Sequence, residues 1–315
     1  MMINQWIALA AAMGMWTAAS LAGAGSLEPP GAPGPTMKTL DQIEPRTPIS
    51  SVPFTISQPG SYYLTANLTS SGSGVIIETN NVTLDLMGFT LEGSGWHYGV
   101  YITGATNAPI RNVTIRNGGV RDFFDGVRAD YSQDSQFERL NVVKNSNIGV
   151  RLYGGSGGQC NGNTIAHCTI SGNGGHGVYL YGGSYSGQCN GNSIANCTIS
   201  GNGFYGVYLY GYLGQCNGNT IFNCTISGNT NRGISLVYAT GNRIENNHVS
   251  GTTGKTSYGI TTSASSANFI LRNTCVGQTN NFDISANDTY GPIVTDSGAL
   301  GTTGAAAHPW ANFSR

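Results

Sequence analysis

Acidic and basic side chains are concentrated in one stretch of the chain, residues 121–139, which reads RDFFDGVRADYSQDSQFER. This stretch holds five of the 15 Asp and Glu residues. Two carboxylates at a suitable separation can act as acid and base on a glycosidic bond. We single out as catalytic candidates Arg128, Asp130, Asp125 and, one repeat further on, Arg151. Surface ion pairing is the structural alternative for such a cluster, and a calcium site is another.

Aromatic residues form a second candidate site, because they recur at matching positions of a repeat. Tyrosines follow recurring glycines by two or four positions at Tyr101, Tyr153, Tyr179, Tyr181, Tyr208 and Tyr210. Flat rings suit the apolar faces of sugars, and arginine binds carboxylates or sulfates in a bidentate manner. The alternative is that the rings only stabilise strands, because tyrosine favours sheets and cross-strand pairs.

Both sets of residues belong to a repeat in which Gly is followed by Val or Ile. The eight glycines are Gly74, Gly99, Gly126, Gly149, Gly177, Gly206, Gly233 and Gly259, spaced 23 to 29 residues apart. The residues that follow alternate, as in Val178-Tyr179-Leu180-Tyr181, and a period of two predicts a strand with one buried face. The second and fourth positions then share the outer face of one sheet.

Each repeat also contains a second apolar pair five residues apart, with a turn residue between its members. Examples are Ile165 with Ile170 and Ile194 with Ile199. A unit therefore holds three short strands and three turns, and no helical period separates them. Neighbouring parallel strands within one unit would need a long connection between them, usually a helix, and the units contain none. We therefore expect the strands of successive units to stack coil upon coil. The loops after the strands at Gly149, Gly177 and Gly206 are the longest, and stacked loops there can form one wall of a groove.

Residues 159–173, 188–202 and 215–229 are near-copies of one phrase, which reads QCNGNTIAHCTISGN in the first copy. This phrase and the following Gly-Val resemble the short repeat of right-handed parallel β-helix proteins, the pectin-lyase-like superfamily, over about residues 52–290. The resemblance implies an all-β, single-stranded right-handed parallel β-helix (β-solenoid) of about eight coils with N- and C-terminal caps.

The resemblance does not specify an activity, because the superfamily includes lyases, hydrolases, epimerases, adhesins and phage proteins. In lyases of this fold an arginine stabilises a uronate carboxylate while a base removes the neighbouring proton. No motif in this chain matches a pectate lyase or polygalacturonase site residue by residue.

The two ends of the chain are predicted to lie outside the repeat. Residues 1–24 resemble a signal peptide, with an uncleaved membrane anchor as the alternative. Residues 25–51 are expected to form a linker and short N-terminal segment with a helix at Met37–Ile43. Residues 52–276 then form the parallel β-helix, and residues 277–315 form a C-terminal capping segment.

Six of the seven cysteines fall into two ladders, Cys160/Cys189/Cys216 and Cys168/Cys197/Cys224. We expect buried, mostly reduced thiols in these ladders, with disulfides as the alternative. Cys275 lies at an apolar core position. His167 and His176 have no evident partner and are expected at the surface.

Composition narrows the classes of partner. Only 9% of residues are charged and the net charge is -1, which argues against a nucleic-acid partner. The sequence predicts a secreted, periplasmic or cell-surface protein that binds or processes an extracellular polysaccharide, as a lyase or hydrolase of acidic glycans if it is an enzyme. We expect no membrane segment after signal cleavage and no cofactor, and calcium is supported by no motif. The alternative function is a non-catalytic adhesin or filament subunit that associates end to end through its coil ends.

Overall fold

The computed structural model describes residues 45–251, 257–295 and 304–315. Residues Arg46–Arg315 form one compact unit. The predicted signal peptide and the helix predicted at Met37–Ile43 lie outside the described residues. Within the described ranges, no helix is long and apolar enough to cross a membrane.

One face of the unit is a parallel sheet of ten strands, which we call the front sheet. Its strands are Phe54–Ile56, Val75–Ile77, Tyr98–Thr103, Asp125–Asp130, Val150–Tyr153, Val178–Tyr181, Tyr205–Tyr210, Arg232–Val237, Tyr258–Ser263 and Asn280–Asp283. The middle eight of these contain or directly follow the eight repeat glycines, and one further strand is added at each end. Each strand pairs with the strand of the next repeat in register, for example Val150 with Val178 and Leu152 with Leu180.

The remaining strands form a second sheet, which we call the back sheet, and a small additional pair. The back strands are Thr47–Ile49, Gly60–Leu64, Leu68–Thr69, Val82–Asp85, Thr90–Glu92, Val113–Arg121, Gln136–Val143, Thr164–Ala166, Thr169–Ser171, Ser193–Ala195, Thr198–Ser200, Thr220–Phe222, Thr225–Ser227, Arg243–Glu245, His248–Ser250, Phe269–Leu271, Thr274–Val276, Thr289–Tyr290, Ile293–Val294 and Asn312–Ser314. Ile110–Arg111 pairs with Ser132–Gln133, and Gly304–Ala307 is a 3-10 turn.

A typical coil thus contains one front strand and two back strands, as the sequence pattern predicts. The all-β solenoid fold is confirmed. Parallel strands begin at Thr47–Ile49, within the segment predicted as a linker. At the other end, Asn312–Ser314 pairs with Thr274–Val276 and covers the last back strands.

The core is a stack of aliphatic side chains from successive coils. Val150, Leu152, Val178 and Leu180 are all fully buried. Burying a side chain of this size contributes roughly 1.5–3 kcal/mol, so the repeated pairs supply the main stabilisation of each coil. The six ladder cysteines and Cys275 are also buried, and all seven are free thiols in the structure.

Each repeat glycine lies where the backbone of the next coil leaves no room for a side chain. A Cβ on Gly177 would lie 2.6 Å from Cγ2 of Ile199 and 2.7 Å from the carbonyl oxygen of Gly206. The glycine therefore faces the interior together with the Val that follows it. As a consequence the strict alternation of the strand is broken, and the residue before the glycine joins the outer face.

Buried asparagines hold the turns between front and back strands. Oδ1 of Asn192 accepts hydrogen bonds from the backbone N–H and the side-chain amide of Asn163, at 2.8 and 3.0 Å. Asn192 in turn donates from Nδ2 to the carbonyl oxygen of Cys160 and to Oδ1 of Asn219, at 3.0 and 3.1 Å. Because polar backbone groups at a buried turn need partners, this ladder fixes the loops that leave the front sheet.

Candidate functional site

The outer side of the front sheet, which we call the front face, presents three rows of side chains. The first row precedes the repeat glycines, and the second and third rows follow them by two and four positions. From the coil of Gly99 to that of Gly233, the first row is Tyr98, Asp125, Ile148, His176, Tyr205 and Arg232; the second is Tyr101, Arg128, Arg151, Tyr179, Tyr208 and Ser235; the third is Thr103, Asp130, Tyr153, Tyr181, Tyr210 and Val237.

Five of the six tyrosines predicted to bind a substrate form one continuous aromatic surface, which we call the tyrosine platform. It consists of Tyr153, Tyr179, Tyr181, Tyr208 and Tyr210. The rings of Tyr179 and Tyr208 are stacked with centroids 5.1 Å apart and an interplanar angle of 6°. Tyr181 stacks on Tyr153 at 5.3 Å and on Tyr210 at 5.4 Å. The platform is half-buried, because neighbouring rings cover one another's faces.

The sixth tyrosine, Tyr101, lies apart from the platform in a polar cluster with Arg128 and Asp130. Arg128 Nε lies 3.0 Å from both carboxylate oxygens of Asp130, and Tyr101 donates its hydroxyl hydrogen to Asp130 Oδ2 at 3.1 Å. Arg128 also donates from Nη1 to the hydroxyl of Tyr98 at 2.8 Å. Burial alone would lower the pKa of Arg128, but the hydrogen bond and ion pair with Asp130 raise it above its ordinary value. Arg128 and Asp130, two of the catalytic candidates, therefore neutralise each other's charge and share hydrogen bonds.

The other two catalytic candidates, Asp125 and Arg151, lie close together but form no hydrogen bond with each other. Asp125 is fully buried, and its Oδ1 accepts hydrogen bonds from Nδ2 of Asn147 at 2.8 Å and from N–H of Ile148 at 3.1 Å. Its Oδ2 has no hydrogen-bond donor and lies 4.0 Å from Arg151 Nη1. Burial raises the pKa of Asp125, and the two bonds to Oδ1 and the charge of Arg151 offset part of that effect.

Arg151 connects this pair to the tyrosine platform. Its guanidinium carbon lies 5.0 Å from the ring centre of Tyr153 and 5.7 Å from that of Tyr179. Its Nε is buried and has no hydrogen-bond partner. Stacking on two rings leaves the edge of the guanidinium group to make hydrogen bonds, which is the geometry that binds carboxylate or sulfate.

His176 occupies the centre of the face, where it is half-buried on the outer side of the sheet and has aromatic partners that the sequence did not reveal. Its ring centre lies 5.0 to 5.2 Å from those of Tyr179, Phe204, Tyr205 and Tyr208. Burial, with a smaller contribution from Arg151, lowers its pKa to about 4, so the ring is neutral at pH 7. Nδ1 accepts a hydrogen bond from the N–H of Tyr205 at 3.4 Å, which places the proton of the neutral ring on Nε2.

A second arginine, Arg232, lies at the far end of the face. Its guanidinium carbon lies 5.2 Å from the ring centre of Tyr205 and 5.4 Å from that of Tyr258. Nη1 donates to the hydroxyls of Tyr205 and Ser235, each at 3.3 Å, and the buried Nε has no partner. Among the described residues no carboxylate forms an ion pair with Arg232.

The long loops of the three middle coils stack beside the third row, as predicted. Gln159, Gln188 and Gln215 pair in parallel at their bases. Beyond them a cavity of about 400 Å³ is lined by Ser184, Tyr185, Ser186 and Leu213, and the side chain of Tyr185 is 83% exposed. Tyr212 extends the platform towards this wall, with its ring centre 6.2 Å from that of Tyr210. The face therefore has a raised apolar border on one side.

Sequence reasoning missed most of the first row, including the roles of His176 and Arg232, and it chose Asp125 only as part of the charged stretch. A strict period of two counted back from Val178 assigns His176 to the interior face. The available signal was the glycine itself, since a residue type that recurs eight times indicates a backbone constraint that can reset the alternation.

No group of three or more His, Cys, Asp or Glu side chains stands where it could hold a metal ion, in the portion of the chain that the structure describes. The calcium alternative rests on no observation of the structure, and the catalytic roles of the four candidates stay predictions.

A family model for the right-handed β-helix region matches residues 60–187 and 158–312. The chain belongs to the right-handed β-helix family. The coils of this β-helix protein are therefore assigned the right-handed winding that the resemblance implied. The comparison with curated proteins gives no match.

Solved structures with the same fold are distant in sequence. The enzymatically active domain of tailspike protein 2 from bacteriophage CBA120 is 14% identical with a TM-score of 0.60, over 79% of this chain and 43% of that one. The Dettilon tailspike protein is 13% identical with a TM-score of 0.52, over 85% and 61%. The A-module of a mannuronan C-5 epimerase from Azotobacter vinelandii is 19% identical with a TM-score of 0.49, over 78% and 90%. The chain spans less than half of the first of these structures, and at such identities the likeness to the two tailspike proteins shows the fold alone.

Proposed function

We propose that this β-helix protein binds an extracellular polysaccharide carrying acidic groups, with the sugar rings on the tyrosine platform. The observation that carries the proposal is the platform itself, together with the guanidinium groups of Arg151 and Arg232, which lie against rings of the front face. Each element of the face then has a partner in such a ligand. The exposed parts of the stacked rings contact the sugars, and guanidinium groups bind carboxylate or sulfate.

The dimensions of the face favour a polymer over a single sugar. Strands of neighbouring coils lie about 4.8 Å apart, so the coils from Tyr101 to Arg232 span roughly 24 Å. The arginines at Arg151 and Arg232 are three coils apart, or roughly 14 Å. A ligand that reaches both must contain several sugar units, and the loop wall beside the third row keeps it along the axis of the coils.

We propose that any catalytic step on this face involves Arg151, because Arg128 and Asp130 already pair with each other and Asp125 has no exposed surface. A lyase or hydrolase activity is the finer form of the proposal. The assay for a lyase is the ultraviolet absorbance of unsaturated products from polyuronates. A hydrolase is detected by new reducing ends from the same polymers.

Binding is tested by retention on immobilised acidic and neutral polysaccharides. The variant with both Tyr179→Ala and Tyr208→Ala removes the most closely stacked pair, and we expect it to lose at least tenfold in affinity for the acidic polymers. The matched control changes two exposed aromatic residues of the back sheet, Phe269→Ala and Tyr290→Ala, and is expected to bind normally. Unchanged retention of the platform variant, or no retention of the unmodified protein on any polymer, would reject the proposal.

A further inference from the structure

Asp125 is a buried acid with half of its hydrogen-bonding capacity unused. Its side chain has no exposed surface, both donors that it accepts from bind Oδ1, and Oδ2 has none. A buried charged oxygen without a donor is costly, and such positions in folded proteins require an explanation. Arg151 Nη1 is the nearest positive charge, but a separation of 4.0 Å is too long for a hydrogen bond.

The contrast with Arg128 and Asp130 shows that this strand can form a complete ion pair. That pair is joined by contacts of 2.9 and 3.0 Å, and Asp130 receives a further bond from Tyr101. Asp125 lies on the same strand and Arg151 on the next one. Arg151 is instead held away by the rings of Tyr153 and Tyr179, with its Nε unbonded. Arg151 is therefore only loosely neutralised by Asp125.

We propose that one acidic group of the polysaccharide binds Arg151 in place of Asp125, and that Asp125 takes up one proton from solvent as it does so. This inference rests on the proposed function. The proton binds Oδ2, the oxygen without a donor, and the protonated oxygen no longer needs a positive charge beside it. One anion is thus exchanged for another at Arg151, and the net charge buried at the site stays the same.

Every charged or titratable group that faces Asp125 is consistent with this exchange. Arg128 lies on the same strand and is already neutralised by Asp130. Tyr98 is the register partner on the preceding strand and is bonded to Arg128. On the following side Asn147 and Ile148 contribute only neutral donors, and Arg151 is the single guanidinium in contact. His176, beyond Arg151, stays neutral above pH 5, because burial lowers its pKa to about 4.

The exchange makes binding depend on pH in a defined direction. A proton taken up on binding means that acidity favours the complex, so affinity falls by up to tenfold for each unit of rising pH. Burial raises the pKa of Asp125, which moves the onset of this dependence above the range of an ordinary aspartate. A neutral polysaccharide on the same platform should show no such dependence.

The test is calorimetric titration of the full chain with oligogalacturonate in buffers of different ionisation enthalpy, because the difference between buffers counts the protons taken up. We expect up to one proton per bound ligand for the unmodified protein and none for Asp125→Asn, with affinity of the variant independent of pH. Asp134→Asn, which changes an exposed acid that pairs with Arg111, is the matched control and should keep the proton uptake. Thermal unfolding of each variant establishes that it is folded, and Arg151→Gln provides a second route, since it should abolish binding of the acid without altering the front sheet.

Three outcomes would overturn the inference. Binding without proton uptake rejects the exchange and leaves the proposed function standing. Equal uptake in Asp125→Asn assigns the proton to another group. Absence of any binding of oligogalacturonate or other acidic polymers rejects the proposed function, and the inference falls with it.

Discussion

Replacing Asn192 by alanine removes one rung of the buried amide ladder that supports the loops beside the front face. The side chain accepts from the N–H of Asn163 and donates to the carbonyl oxygen of Cys160, at 2.8 and 3.0 Å. Both backbone groups are buried, and truncation leaves both without this partner. An unsatisfied buried polar group costs about 1–3 kcal/mol, so two of them lower the free energy of unfolding by about 2–6 kcal/mol.

The measurement is equilibrium unfolding in denaturant, followed by the far-ultraviolet signal of the sheets. Asn190→Ala is the matched control. Its side chain also bonds the next coil, with Oδ1 accepting from N–H of Asn217 at 2.8 Å, but it is only half-buried and water can replace the bond. We expect the control variant to lower the free energy of unfolding by less than about 1 kcal/mol. Equal losses in the two variants, or a loss below 1 kcal/mol at Asn192, would refute the claim that burial of the ladder makes it structural.

Three further predictions concern the core and the face. Gly177→Ala should lower the unfolding free energy by about 2 kcal/mol or more, because the new methyl group meets Gly206 and Ile199, and a midpoint unchanged in denaturant would contradict the tight stacking. Thiol counting in denaturant without reductant should find seven free thiols, and native protein should react slowly; six blocked thiols would instead establish disulfides in the ladders. The pKa of His176 is lowered to about 4 in the folded protein, so the unfolded chain binds the proton first as pH falls. The free energy of unfolding should therefore decrease by roughly 2–3 kcal/mol between pH 6.5 and pH 4. His176→Phe should lack this component, and identical pH profiles of unfolding would show that His176 is not buried as a neutral ring.

Much of the fold follows from local patterns in the sequence. The Gly-Val repeats predict the eight middle strands of the front sheet because alternation and glycine spacing are properties of single strands. The position of Tyr179 next to Tyr208 follows as well, since equal offsets from the glycine become register partners once the coils stack. The structure therefore bears out the fold, and it brings together most of the tyrosines chosen from the sequence.

The partners of individual charges could not be predicted in the same way. Asp125 and Asp130 are both acids next to arginines in the sequence, yet one is left with an unbonded oxygen and the other is saturated. The difference arises because the strand alternation breaks at Gly126, which sends Asp125 to the first row. The same break at Gly177 places His176 in the first row, among the tyrosines. A pattern that gives the strand does not give the side on which a residue lies when a glycine resets the alternation.

The central claim is that an acidic polysaccharide lies along the front face, and a crystal structure with a bound acidic oligosaccharide tests it most directly. We expect sugar rings over Tyr179, Tyr181, Tyr208 and Tyr210, with an acidic group within hydrogen-bond distance of Arg151. An oligosaccharide bound elsewhere, for example in the apolar pocket lined by Phe269, Tyr290 and Trp310, with the front face empty, would contradict the account.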